Sequence, residues 1–259
     1  MTATRRAATL AVKRGRVAIE TALIVLGLVL VKLVLEALSL EFIDLSPLYT
    51  SIVAGGIFVI GLIVAGTLAD YKESEKMPAE IAAALENIRE DCQSIHQTKQ
   101  EFDLPRLRKS LAAVVAALRA DLADPASRTC LDAINDLSDA FLELERLEVP
   151  PNYIVRLRTE QGAIRRNVLR IYHIQRIDFL PSAYLLIQTI VILIIAALEF
   201  TKIDPIYESV VILAFISYFF IYLLRLLRII DRPFRVDERT MDDVSLFLLN
   251  EFAKKLAKD

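Results

Sequence analysis

Four stretches of this 259-residue chain match the length of about 20 apolar residues that an α-helix needs to cross roughly 30 Å of hydrocarbon: Val17 to Leu38, Tyr49 to Ala69, Ser182 to Leu198 and Ile206 to Leu227. The chain is 55% hydrophobic yet 25% charged, so the two kinds of residue must be segregated along it. The charges concentrate between the stretches. The first stretch is too long for a cleaved secretory leader and runs into Leu40-Glu41-Phe42 rather than a small-residue cleavage site, so it is expected to remain as an anchor.

Lys and Arg resist translocation, and their placement sets orientation. Arg5, Arg6, Lys13, Arg14 and Arg16 precede the first stretch, whereas the loop from Ser39 to Leu48 has neither residue type. The centre of the chain is rich in both, the second short loop has only Lys202, and Arg225, Arg228, Arg232 and Arg235 end or follow the fourth stretch. The expected fold is an all-α membrane protein with four transmembrane helices in two hairpins and a cytoplasmic helical domain. Its segments are a cytoplasmic N-terminal segment (1–16), hairpin 1 (17–69), the cytoplasmic domain (70–180), hairpin 2 (181–228) and a cytoplasmic C-terminal segment with an amphipathic helix (229–259). Both termini are expected in the cytoplasm, and the protein in the plasma (inner) membrane.

Prolines divide the central region into four helical patterns, beginning near Pro78, Asp103-Leu104-Pro105, Asp124-Pro125 and Pro150-Pro151. Cys130, Ile134, Leu137, Phe141, Leu144 and Leu147 follow one another at spacings of three and four, the stripe of a helix buried on one face. Nothing reads as a strand. The two hairpin loops resemble each other: Leu40-Glu41-Phe42 followed by Pro47, Tyr49, Ser51 and Val53 matches Leu198-Glu199-Phe200 followed by Pro205, Tyr207, Ser209 and Val211 without a gap. This suits either a same-orientation internal repeat or shared turn chemistry.

Little points to an enzyme. Of seven glycines only Gly15 and Gly162 lie outside the apolar stretches, so no glycine-rich phosphate loop is available between them. His96 and His173 lack His or Cys partners at ligand spacing, and Cys92 and Cys130 read as reduced thiols. No catalytic residue, metal, cofactor or nucleic-acid partner is expected.

The second stretch holds Gly55, Gly56, Gly61 and Gly66, small residues that let helices approach closely in lipid and that also suit a pore-lining helix. Lys32 and Glu36 stand at helical spacing in the first stretch as membrane-embedded charges. Lys32 lies about 22 Å along the helix from Val17, near the outer interface, where a paired ammonium on a long stem can reach water. Arg166, Arg170 and His173 share one face of a basic helix, suited either to lipid heads and neighbouring acidic helices or to attracting anions. After the fourth stretch Ile230-Asp231-Arg232-Pro233-Phe234 leads into Asp237, Glu238, Asp242 and Asp243. Asp242 or Asp243 is expected to cap a final helix with Val244, Phe247, Leu248, Phe252 and Leu256 on one face.

This layout resembles the bestrophin and bestrophin-like membrane family. That family also has two membrane hairpins, cytoplasmic termini, a helical insert between spans two and three, and a Pro-Phe element after span four. Pro233 and Phe234 resemble that element, and Asp70-Tyr71-Lys72-Glu73-Ser74-Glu75-Lys76 is loosely similar to the family's aromatic and charged stretch leaving span two. The chain has no Trp and carries Arg235 where the family has Gly, and calcium gating is not expected. The resemblance implies a homopentameric anion channel with Ala54, Phe58 and Leu62 at the pore neck, and partners limited to the lipid bilayer, further copies of the chain and small anions such as chloride. The alternative is a membrane-anchored scaffold or sensor whose cytoplasmic helices bind a protein partner through the Cys130 to Leu147 stripe. A small-solute transporter is a third reading.

Overall fold

The computed structural model describes residues 3–44, 46–124, 126–176, 181–231, 233–234 and 243–258. In chain order these form α1 (Ala3–Ala37), β1 (Ile43–Asp44), α2 (Pro47–Thr98), α3 (Leu104–Ala123), α4 (Thr129–Arg146), α5 (Pro151–Arg176), α6 (Pro181–Phe200), β2 (Thr201–Lys202), α7 (Ile206–Ile230) and α8 (Phe247–Leu256). Four of these helices, α1, α2, α6 and α7, are long and apolar enough to cross a membrane. The architecture is all-α apart from the two-residue strands, which occupy the two hairpin turns.

The chain divides into two compact units, and α2 contributes to both. The first contains α1, the start of α2, α6 and α7. Within it α1 packs on α7 and α6, and α6 packs on α7. Gly56 marks a close approach of α2 to α6: a Cβ there would stand 2.9 Å from Cγ2 of Ile190 and 3.2 Å from Cδ1 of Ile194. Ile60, Ile187, Val191, Phe220 and Leu227 are buried around this contact, whereas Leu23, Leu26, Leu30, Leu193 and Phe215 remain on the surface. A unit this apolar outside is adapted to lipid or to other apolar protein surfaces.

The two turns pair as parallel strands, with Ile43 opposite Thr201 and Asp44 opposite Lys202. That register has the same spacing as the match between Leu40-Glu41-Phe42 and Leu198-Glu199-Phe200 in the sequence. The N–H of Phe42 donates to the carbonyl of Phe200 at 3.1 Å, and the two rings lie 5.1 Å apart. The matching segments therefore meet residue for residue and run in the same direction. The sequence pattern missed the strands because two residues are too few to show alternation.

The second unit holds residues 71–98 of α2 with α3, α4, α5, α8 and the Pro233-Phe234 pair. Its core joins Ile81, Leu85 and Ile88 of α2, Leu107, Leu111 and Leu118 of α3, and Leu157, Ile164 and Val168 of α5. The α4 stripe from Cys130 to Leu144 is buried in the same core, with Leu147 packed at its edge. Pro78 does not start a helix but lies inside α2. One missing N–H is tolerated there because Met77, Ile81 and Leu85 around it are buried. The helix α8 begins at Phe247, and the N-cap position expected of Asp242 or Asp243 is held by Leu246, whose side chain makes no cap bond. Arg232, Arg235, Asp237, Glu238, Asp242 and Pro125 lie outside the described residues.

The helix α3 starts as its Asp103-Leu104-Pro105 signal implies, with the Asp103 carboxylate accepting from the N–H of Arg106 at 2.9 Å. The start of α4 is different. Arg128 occupies its N-cap without a side-chain bond, and the cap comes from the preceding helix. The buried carboxylate of Asp121 accepts from the N–H groups of Thr129 (3.1 Å) and Cys130 (2.8 Å), and from the hydroxyls of Thr129 (2.7 Å), Ser127 (2.5 Å) and Tyr172. One side chain thus joins α3, α4 and α5, and the Arg128 guanidinium covers the Tyr172 ring at 3.8 Å.

Burial alone would raise the Asp121 carboxyl, but the bonds from Ser127, Tyr172, Cys130 and Thr129 outweigh it and hold it at about 2. Burial and the Asp121 charge push the Cys130 thiol up to about 12, which leaves it protonated and unreactive. A carboxylate depressed on folding contributes stability above its unfolded value of about 3.9, roughly 2 kcal/mol here, and loses it as pH falls toward the folded value. Acid unfolding between about pH 4 and pH 2 should therefore be blunted in Asp121→Asn, which should also be less stable than wild type at pH 7. Identical acid titrations of the two proteins by circular dichroism would remove Asp121 from this role.

Candidate functional site

Three places carry the residues singled out in the sequence. The first is a face of α2. Ala54, Phe58 and Leu62 follow one another at four-residue spacing and lie on the exposed side of the helix, with Phe58 68% and Leu62 60% accessible. Ile60, 2% accessible, lies on the opposite side with Gly56 and faces the rest of its unit. Gly55 and Gly61 fall on the exposed side and have nothing within 4 Å of where a Cβ would stand. This one helix therefore presents a packed face inward and an aromatic and aliphatic face outward, with no charged group between Tyr49 and Ala69.

The second place is the basic face of α5. Arg166 and His173 are exposed. Arg170 is held by a bidentate pair with Glu73 of α2, Nε and one terminal nitrogen each 3.0 Å from a carboxylate oxygen. Other basic residues of α5 are used similarly: Arg156 meets Asp91 at 2.9 Å, and Arg158 donates to the Ser138 hydroxyl at 2.7 Å. Pairing with neighbouring helices accounts for Arg156, Arg158 and Arg170, which leaves Arg166 and His173 as the outward part of the predicted face. Pro233 and Phe234 are buried, and the Pro233 carbonyl accepts from the N–H of Val244 at 2.9 Å, tying this element to the segment before α8.

The third place surrounds Lys32. Its side chain is completely buried, and its ammonium does not reach water. Nζ forms an ion pair with Glu41 at 2.5 Å and donates to the carbonyls of Thr201 (2.6 Å) and Glu199 (3.1 Å), with that of Leu198 at 3.4 Å. The carboxylate facing it belongs to Glu41, beyond the end of α1, and not to Glu36 one helical turn away. The backbone explains the choice. Ser39 adopts φ 54°, and the N–H of Leu40 returns to the carbonyl of Leu35 at 2.9 Å, a left-handed helix ending that swings the following residues back along α1. The C-terminal carbonyls of α6 carry partial negative charge, so the ammonium also caps that helix. The sequence signal for this site was Lys32 itself; its partners came together only through the turns.

The geometry defines a helical membrane protein built from two parallel-running hairpins and a separate helical unit. No family model matches the sequence, and no curated protein sequence matches it. Solved structures do. A point variant of a bacterial bestrophin homologue from Klebsiella pneumoniae superposes with a TM-score of 0.80 at 13% identity, covering 93% of this chain and 97% of that one. A second variant of that homologue gives 0.75 at 14% identity over 95% and 98%. A variant of another structure, called a membrane protein, gives 0.79 at 13% identity over 92% and 98%. The chain has the bestrophin-homologue fold, and at these identities the likeness is one of fold.

Removing the Lys32 ammonium would leave the partly buried Glu41 and the α6 carbonyls without a counter-charge. Lys32→Met should therefore cost about 3 kcal/mol or more, read in detergent as a melting temperature lower by on the order of 10 °C. Glu36→Gln should stay within about 0.5 kcal/mol of wild type. Equal losses in the two variants would contradict the assigned pairing.

Proposed function

We propose that the protein is a homopentameric channel of the bestrophin type that conducts chloride or other small anions through a neck lined by α2, with Ala54, Phe58 and Leu62 facing the conduction path. The observation that carries this reading is the agreement of fold with bestrophin homologues over more than nine-tenths of both chains. The uncovered apolar face of α2 is consistent with it. A neck of that composition would limit passage by width and wetting rather than by charge. Preference for anions would then come from basic groups elsewhere, chiefly Arg166 and His173, because the Arg170 charge is opposed by Glu73. In this reading the protein lies in the plasma (inner) membrane with residues 1–16, 70–180 and 229–259 in the cytoplasm.

A scaffold or sensor reading rested on the α4 stripe needing an external cover. Its residues from Cys130 to Leu144 are buried within the chain's own core, so that feature no longer calls for a partner.

Purified protein in liposomes under a potassium chloride gradient tests the proposal. A reversal potential near that of chloride is expected; a value near that of potassium would overturn the ion assignment, and absence of flux from assembled oligomers would overturn the channel. Phe58→Ala should raise conductance by about twofold or more, and Arg166→Gln should move the reversal potential toward zero. Unchanged currents in well-assembled Phe58→Ala protein would remove Phe58 from the path.

A further inference from the structure

The Lys32 cluster has a charge imbalance that its hydrogen bonding makes specific. An ammonium has three protons to give. Here they are directed at the Glu41 carboxylate and at the carbonyls of Thr201 and Glu199, with the Leu198 carbonyl sharing at longer range. Glu199 occupies the position in the second turn that Glu41 occupies in the first. Its residue is 6% accessible, and both of its carboxylate oxygens are buried without a hydrogen-bond partner among the described residues. Lys32 is the charged side chain whose field reaches it, but it has no proton left to donate to it.

Two carboxylates and one ammonium leave a net negative charge in a site where Lys32 and Glu199 are buried and Glu41 is partly so, and the C-terminal carbonyls of α6 add to it. No other described charge corrects the imbalance. On α1, Glu36 is itself acidic and half-buried. In the turns, Asp44 and Lys202 are exposed, and Lys202 lies 4.0 Å from Asp204. On α7, Glu208 is exposed, and no other charge occurs on that helix until Arg225, which is paired with Glu20 at 2.6 Å. From α2 the buried hydroxyl of Tyr49 lies beside Thr201 and carries no charge that would correct the imbalance.

We infer that the Glu41–Lys32–Glu199 cluster binds one further monovalent cation, a proton or an alkali ion, on the Glu199 carboxylate. A single charge restores neutrality. Among the described residues no three His, Cys, Asp or Glu side chains converge, so the donor set suits one small monovalent ion rather than a multidentate divalent metal. The site is independent of whether α2 lines a pore.

The test is the melting temperature of the purified protein in detergent, in sodium chloride against N-methylglucamine chloride at equal ionic strength, between pH 5 and 9. Wild type is compared with Glu199→Gln, which keeps the shape and removes the charge. If an alkali ion binds, sodium should raise the wild-type midpoint by about 3 °C or more at pH 8.5, and the variant should not respond. If the proton binds, the wild-type midpoint should fall as pH rises whatever the salt, and the variant should be flat. Glu41→Gln provides the same comparison should Glu199→Gln fail to assemble, because it frees the ammonium for Glu199 and abolishes the need for a second cation. Wild type indifferent to both sodium and pH, or a response undiminished in both variants, would overturn the proposal.

Discussion

A buried ammonium holds the two hairpins of this protein together. In hydrocarbon every polar backbone group must find a partner within the protein, and the difficult places are the ends of helices, where carbonyls have no intrahelical donor. At the end of α6 those carbonyls receive the ammonium of Lys32 on α1, and the same ammonium draws in Glu41 from the first turn. Two consequences follow from one side chain: α1 is fixed against α6, and the turns are brought close enough for Phe42 to bond Phe200 and for the strands to pair in parallel. The pairing register reproduces the sequence match between the turns, so the likeness of Leu40-Glu41-Phe42 to Leu198-Glu199-Phe200 has a structural counterpart. The repeat is broken at the centre: one lysine stands near two glutamates and bonds the carboxylate of Glu41 alone.

Asp121 plays a comparable part in the other unit, on different terms. There the buried charge is negative, and it is met by hydroxyls and backbone N–H groups rather than by a counter-ion. Several donors aimed at one carboxylate are enough to keep it ionised in a dry core, and each donor belongs to a segment that must be placed: the start of α4, the connection before it and the C-terminal end of α5.

What could be read in advance divides along physical lines. The spans were legible because hydropathy over 20 residues is a property of the local chain, and the α4 stripe because helical periodicity is too. Pro78 misled because the local rule against proline inside a helix is weaker than the burial of Met77, Ile81 and Leu85 around it. Asp121 carries a signal in the sequence: it stands three residues after Leu118 and next to Leu122, on the buried stripe of α3, where an acid needs an explanation. Its partner Tyr172 lies too far along the chain for any spacing rule. Lys32 reads in the sequence as an intramembrane charge, and its placement near an interface implies a stem reaching water. The fold instead carries the acceptors to it, which only the left-handed turn at Ser39 and the pairing of the two loops make possible.

The α2 helix poses the remaining physical question, because its two sides live in different surroundings. Gly56 and Ile60 are shaped for close packing on α6, and the steric room at Gly56 is already used. The opposite side has Phe58 and Leu62 outward and open space at Gly55 and Gly61. Lipid alone would satisfy the two large side chains, since acyl chains are as apolar as leucine. It gives no reason for glycines beside them, which cost helix propensity and return it only when another surface comes near. A face that alternates large apolar residues with empty glycine positions suits a protein surface at close range or a constriction in which side-chain bulk sets the width. Both conditions are met at once if copies of α2 gather around a common axis.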